Sequence, residues 1–152
     1  AAAVLSACAR ARVEPKTGVY AAWRSTLAQP RSAGVRMNFA VLAATALAFA
    51  RARAFGEDEH FWEAWLPDAC RACMHTASGQ DLASLAEAYA SAGLNCVQMF
   101  HVLEQSVAPA GCEELYQIAV EPTDAAMLFW AHRRCGHLSQ KFWQSLWPVS
   151  LS

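Results

Sequence analysis

Asp81-Leu82-Ala83-Ser84-Leu85-Ala86-Glu87-Ala88-Tyr89-Ala90-Ser91-Ala92-Gly93 is the stretch on which the fold turns. Leu82, Leu85, Ala86 and Tyr89 fall at i, i+3, i+4 and i+7, which places them on one face of an α-helix. Alanine is the strongest helix former, and this stretch is full of it. Ser78 and Asp81 have the spacing of a capping box at the helix start. Gly93 stands where the helix must stop and reverse, a position that favours a left-handed residue. Beyond it, Cys96, Phe100, Leu103 and Val107 lie on one face of a second helix. The unit therefore reads as a helical hairpin.

The same pattern recurs along the chain. Ala7-Cys8-Ala9-Arg10-Ala11-Arg12-Val13, Ala48-Phe49-Ala50-Arg51-Ala52-Arg53-Ala54, Ala88-Tyr89-Ala90-Ser91-Ala92-Gly93-Leu94 and Ala131-His132-Arg133-Arg134-Cys135-Gly136-His137 align, with leading alanines 41, 40 and 43 residues apart. An aromatic follows each alanine after 11 to 13 residues and opens a second apolar stripe: Tyr20, Phe61, Phe100 and Phe142. Hairpins in tandem cannot bury their apolar faces alone and stack on one another. The expectation is an all-α chain, a single domain over residues 1–152. Tandem hairpins would form a short α-solenoid of about four units, near 1–36, 37–78, 79–121 and 122–152. Pro67 predicts a kink or restart near Leu66 in the second helix of the second unit. Pro122, Thr123 and Asp124 mark a helix start, and Pro148 a helix end. Cys112–Ile118 is read as a short extra helix within the third unit.

The composition agrees with a packed helical chain. Of 152 residues, 55% are hydrophobic and 16% charged, which is enough apolar content to exclude disorder. Six tryptophans call for burial, within the chain or against a partner. The longest apolar run, Phe39–Ala50, is too short to cross a bilayer. Residues 1–36 are rich in Ala, Arg and Ser and poor in acids, in the manner of an organellar transit peptide.

Net charge is −1, but it is unevenly spread. Residues 1–55 hold eight basic groups against Glu14, residues 56–130 hold twelve acids against Arg71, and residues 131–152 hold Arg133, Arg134 and Lys141. Such a chain can offer a basic face to one partner and an acidic face to another.

The quoted stretch 81–93 resembles the first helix of the octotricopeptide and heptatricopeptide repeats, which also occur beside the RAP domain and in FAST-kinase-like proteins. Trp130-Ala131-His132-Arg133-Arg134-Cys135-Gly136-His137 is similar to another version of the same helix. The resemblance implies an organellar α-solenoid that binds RNA or sits in an organellar ribosome.

Arg10, Arg51 and Arg134 share one repeat position, three residues after the aligned alanine, where the third unit has Ser91. Stacked hairpins would align them into a ladder able to meet successive phosphates, with Arg12 and Arg53 as a second row. The same arginines could instead cap the carbonyl ends of helices, where a cation is favoured. Trp62, Trp65, Trp143 and Trp147 could stack on bases or fill core and interface. Trp143, Leu146 and Trp147 leave the C-terminal end apolar, which predicts a neighbouring protein there.

No catalytic motif is visible: there is no His-Glu-x-x-His, Gly-x-Ser-x-Gly or phosphate-binding glycine loop. Cys70 and Cys73, with His75 beyond, are one Cys pair where zinc normally needs two, so buried thiols are expected and neither metal nor cofactor. The irregular spacing of the six cysteines is not that of a disulfide framework. The function read from all this is a non-catalytic helical-repeat subunit of an organellar ribonucleoprotein. The mitochondrial ribosome is the foremost candidate and a plastid the other location. It would bind RNA and neighbouring subunits of a large assembly. The alternative is a structural accessory subunit of a respiratory or photosynthetic membrane complex, without RNA contact and not itself transmembrane.

Overall fold

The protein is described by a computed structural model, which covers residues 38–52, 59–107 and 118–150, without the side chains of 145 and 147–150. Arg10, Arg12, Arg53, the first unit and most of the proposed extra helix lie outside the described residues, as does the Trp147 side chain. Among the described residues the chain is all-α, with no strand. Helix α1 spans Phe39–Arg51. A π-helical turn, Phe61–Trp65, runs into α2, Leu66–Ala72, and a 3₁₀ turn follows at Met74–Thr76. Helix α3 is Gly79–Ala92, α4 is Val97–Val107, α5 is Pro122–Arg134 and α6 is Gln140–Ser150. Helix α3 packs between α1 and α5 in one layer, and α4 packs against α2 and α6 in a second. None of these helices is long and apolar enough to cross a membrane.

Local chemistry fixes most ends. Asn38 caps α1 by accepting from the Val41 N–H at 2.8 Å. Ser78 accepts from the Asp81 N–H at 3.2 Å, and the Asp81 carboxylate accepts from the Ser78 N–H at 3.0 Å, so the expected capping box is present. Gly93 and Gly136 end α3 and α5 with φ of 70° and 75°, a left-handed conformation that a Cβ disfavours. Pro122 opens α5, where its missing N–H costs nothing.

Pro67 breaks the regular ladder, and α2 restarts at Leu66 as its position predicts. Pro67 supplies no N–H, and in the π register of the turn before it the Leu66 N–H reaches back to the Phe61 carbonyl oxygen. Two carbonyls of this turn are met by neighbours from α3 and the start of α4. The Tyr89 hydroxyl donates to the Trp62 carbonyl oxygen at 2.6 Å, and the Cys96 thiol reaches the Glu63 carbonyl oxygen at 3.8 Å. Pro148 behaves differently from expectation, because α6 runs through it to Ser150. The carbonyl it deprives is that of Gln144, an exposed residue in the last turns of the helix.

Among the described residues, the aligned alanines and the aromatics that follow them enter the core. Ala48, Ala88 and Ala131 are buried, as are Phe61, Phe100 and Phe142. Each alanine is followed by a ring, and these rings form a continuous row between the layers. Phe49 packs on Phe61 at 5.9 Å, Tyr89 on Phe100 at 6.4 Å and His132 on Phe142 at 4.1 Å, each within its own hairpin. Tyr89 also meets Trp62 at 5.5 Å, and His132 meets Phe100 at 4.8 Å, each in the preceding hairpin. Edge-on and tilted pairs of this kind add to area burial. The start of α3 lies close against the segment that leads into α5: a Cβ at Gly79 would lie 2.6 Å from the Ala119 carbonyl oxygen.

Candidate interaction surface

The two described arginines of the aligned position both reach α3. Arg51, at the last turn of α1, pairs with Glu87 at 3.2 Å. This pair is half in solvent and of small energetic weight. Arg134, at the last turn of α5, donates from Nε to the Ala90 carbonyl oxygen at 2.9 Å. That carbonyl lies near the C-terminal end of α3, where a cation is favoured. The arginines thus brace neighbouring hairpins, and helix-end capping and phosphate contact are not exclusive, because only Nε of Arg134 is engaged by Ala90. Ser91, the third member of the position, is exposed.

More contacts tie α5 and α6 to the preceding hairpin. His137 Nε2 bonds the Asn95 side chain, and Ser139 donates to Glu104 at 3.1 Å. The His137 ring stacks on Phe100 at 4.6 Å. These contacts fix the register between the last two hairpins.

The tryptophans separate by environment. Trp62 is buried, and Trp65 is half-buried and stacked on Phe61 at 5.3 Å. Trp143 is half-buried against Phe129 at 4.2 Å. Leu146 is fully buried, taken up by the chain's own core. Trp130 is 42% exposed and is the only exposed aromatic among the described residues. The Arg134 guanidinium lies 5.7 Å from the centre of its ring, a cation–π contact. Arg133, one turn from Trp130, is exposed, and its guanidinium makes no ion pair or hydrogen bond among the described residues. The sequence reading passed over Trp130. Its signal was its place directly before the aligned alanine, where the third unit has the charged Glu87.

Two further groups carry chemistry inward. His132 is fully buried. Its Nδ1 is 2.8 Å from the Leu128 carbonyl oxygen, which can only accept, so Nδ1 carries the proton. Nε2 is buried without a hydrogen-bond partner. Burial pushes the ring's pKa down to about 4, only partly offset by the Leu128 and Phe100 backbone, so the ring is neutral near pH 7. Cys70 and Cys73 are buried, and the Cys73 thiol donates to the Ala69 carbonyl oxygen at 3.1 Å. Burial first, and then the neighbouring Cys73, raise the Cys70 pKa, which holds it as an unreactive thiol.

Comparison with protein-family models, curated proteins and solved structures finds no match to this chain.

Proposed function

We propose that the chain is a non-catalytic helical-repeat subunit of an organellar ribonucleoprotein, with the mitochondrial ribosome as the foremost setting, and that it binds RNA and neighbouring subunits. In this reading its four hairpins form a short α-solenoid, with units near 1–36, 37–78, 79–121 and 122–152. The observation that carries the repeat architecture is the recurrence of one core position. Phe49, Tyr89 and His132 each follow an aligned alanine, and each packs on the aromatic of its own second helix. The RNA contact is supported by the cationic stretches of the sequence and by the resemblance of its first-helix segments to organellar RNA-binding repeats. Arg10, Arg12, Arg51, Arg53 and Arg134 are the proposed RNA contacts, and Trp143 and Trp147 mark the proposed protein-facing end, Leu146 being taken up by the core.

The engagement of Arg51 by Glu87 and of Arg134 by Ala90 favours a second reading. In it the chain is a protein scaffold in a respiratory or photosynthetic complex, and the arginines are internal braces. Ultraviolet cross-linking in the source cell, followed by recovery of the tagged chain, separates the two. The first reading expects covalently attached RNA, enriched for a few sequences. Recovery of membrane-complex subunits without RNA would contradict it.

A further inference from the structure

We infer that Trp130, Arg133 and Arg134 form a nucleotide-sized platform on α5 for single-stranded RNA, the indole taking a base and Arg133 the adjoining phosphate. The inference rests on the RNA-binding reading above and gives it a site.

Three observations converge on it. Trp130 is 42% exposed, while every other described aromatic is buried or half-buried. Tryptophan and arginine are among the residue types most enriched where binding energy concentrates. Arg133 and Arg134 follow it by three and four residues, so all three side chains rise from neighbouring points on one helix. Arg134 is held by its bond to Ala90 and lies against the ring, whereas Arg133 is exposed and without an ion pair.

The surrounding charge selects the partner. The hairpin 122–152 holds one acid, Asp124 in the first turn of α5, against Arg133, Arg134 and Lys141. This hairpin therefore attracts a polyanion, in contrast to the acidic middle of the chain. An acidic peptide would satisfy the arginines but offers nothing flat to cover the indole. A nucleotide carries both groups, a π-face and an anion, one sugar apart. That separation suits residues one helical turn apart, whose Cβ atoms are about 5–6 Å from each other. Stacking on an aromatic ring is tolerant of sequence, so the site would grip the strand rather than read it.

The test uses the full chain, a fluorescein-labelled oligouridylate and an oligoglutamate of matched charge. Fluorescence anisotropy is followed over a series of salt concentrations. Trp130→Ala should weaken RNA binding at least about fivefold, and Trp130→Phe should keep most of the affinity. Arg133→Gln should flatten the salt slope by about 0.7, the contribution of one phosphate on a single strand. Both positions are exposed, so unchanged thermal melting confirms that the variants fold. If Trp130→Ala binds RNA as tightly as the unmodified chain, the platform is overturned and RNA binding through other residues stands. If the chain prefers oligoglutamate, or binds neither probe, the platform is likewise overturned, and the cross-linking result decides the broader reading by itself.

Discussion

The Tyr89 hydroxyl donates a 2.6 Å hydrogen bond to the Trp62 carbonyl oxygen, inside the core and across two hairpins. The bond exists because Pro67 supplies no N–H to the turn before it. One proline thus creates a polar debt that a residue of the next hairpin settles. The pairing makes the stacking of hairpins specific as well as apolar, since a buried carbonyl without a partner is costly.

Tyr89→Phe should therefore destabilise the chain by about 1–3 kcal/mol, measured by urea unfolding. Pro67→Ala restores a donor to the same turn. In the Tyr89→Phe background it should recover part of the loss, giving a non-zero coupling in a double-mutant cycle. Strict additivity would sever the link between the two residues.

His132 stands where the other units carry Phe49 and Tyr89, and its ring is pressed between Phe100 and Phe142. Its folded pKa is lowered to about 4 from an ordinary 6.5. Above pH 6.5 neither the folded nor the unfolded ring is protonated, and the shift has no effect. Between 6.5 and about 4 the unfolded state binds a proton that the folded state refuses, so stability falls as pH falls. The total loss is roughly 3 kcal/mol, and it levels off below the folded pKa. His132→Phe should remove this part of the pH dependence in thermal melts between pH 4 and 7. An unchanged profile in the variant would show that other groups cause it.

Gly93 and Gly136 have positive φ and open space around them, so a side chain there meets no neighbour. The cost of Gly93→Ala should be the backbone cost alone, about 1–2 kcal/mol. Gly93→Asn should cost less, because asparagine tolerates this conformation. Gly79→Ala is a different case: its Cβ would meet the Ala119 backbone oxygen. It should push residues 118–121 away from α3 and destabilise the chain in a way that Asn does not relieve. Calorimetric midpoints of the three variants check the order.

Much of this fold was legible because it is local. The capping box at Ser78, the stops at Gly93 and Gly136 and the restart at Leu66 depend on residues within one turn of each other. The aligned alanines and aromatics were legible because the same apolar pattern recurs at positions the described core buries. Pro148 lies in the last turn of α6, where it deprives only the Gln144 carbonyl of a donor, and the local rule that a proline stops a helix did not hold there. The roles of the aligned arginines were not legible. Whether Arg134 meets a phosphate or the Ala90 carbonyl depends on how far neighbouring hairpins slide past each other, and periodicity leaves that free. Trp130 was hidden for a related reason: exposure depends on which face the next helix covers.

Replacing Arg10, Arg51 and Arg134 together with Gln should weaken RNA binding and flatten its salt dependence. The structure adds an internal control. Arg51→Gln alone should change stability by less than about 1 kcal/mol, because its ion pair is exposed. Arg134→Gln should cost more, about 1–2 kcal/mol, by releasing the Ala90 carbonyl from a charged donor. Anisotropy and urea unfolding on the same variants separate binding from bracing. Full RNA affinity in the triple variant would leave these arginines as braces only.

The most direct test of the central claim is to purify the native particle that contains this chain, with and without ribonuclease, and to identify its proteins and RNA. The account predicts co-purification with ribosomal RNA and ribosomal proteins of an organelle, and release of the chain when the RNA is digested. Retention among membrane-complex subunits, with no RNA present and no response to ribonuclease, would contradict it.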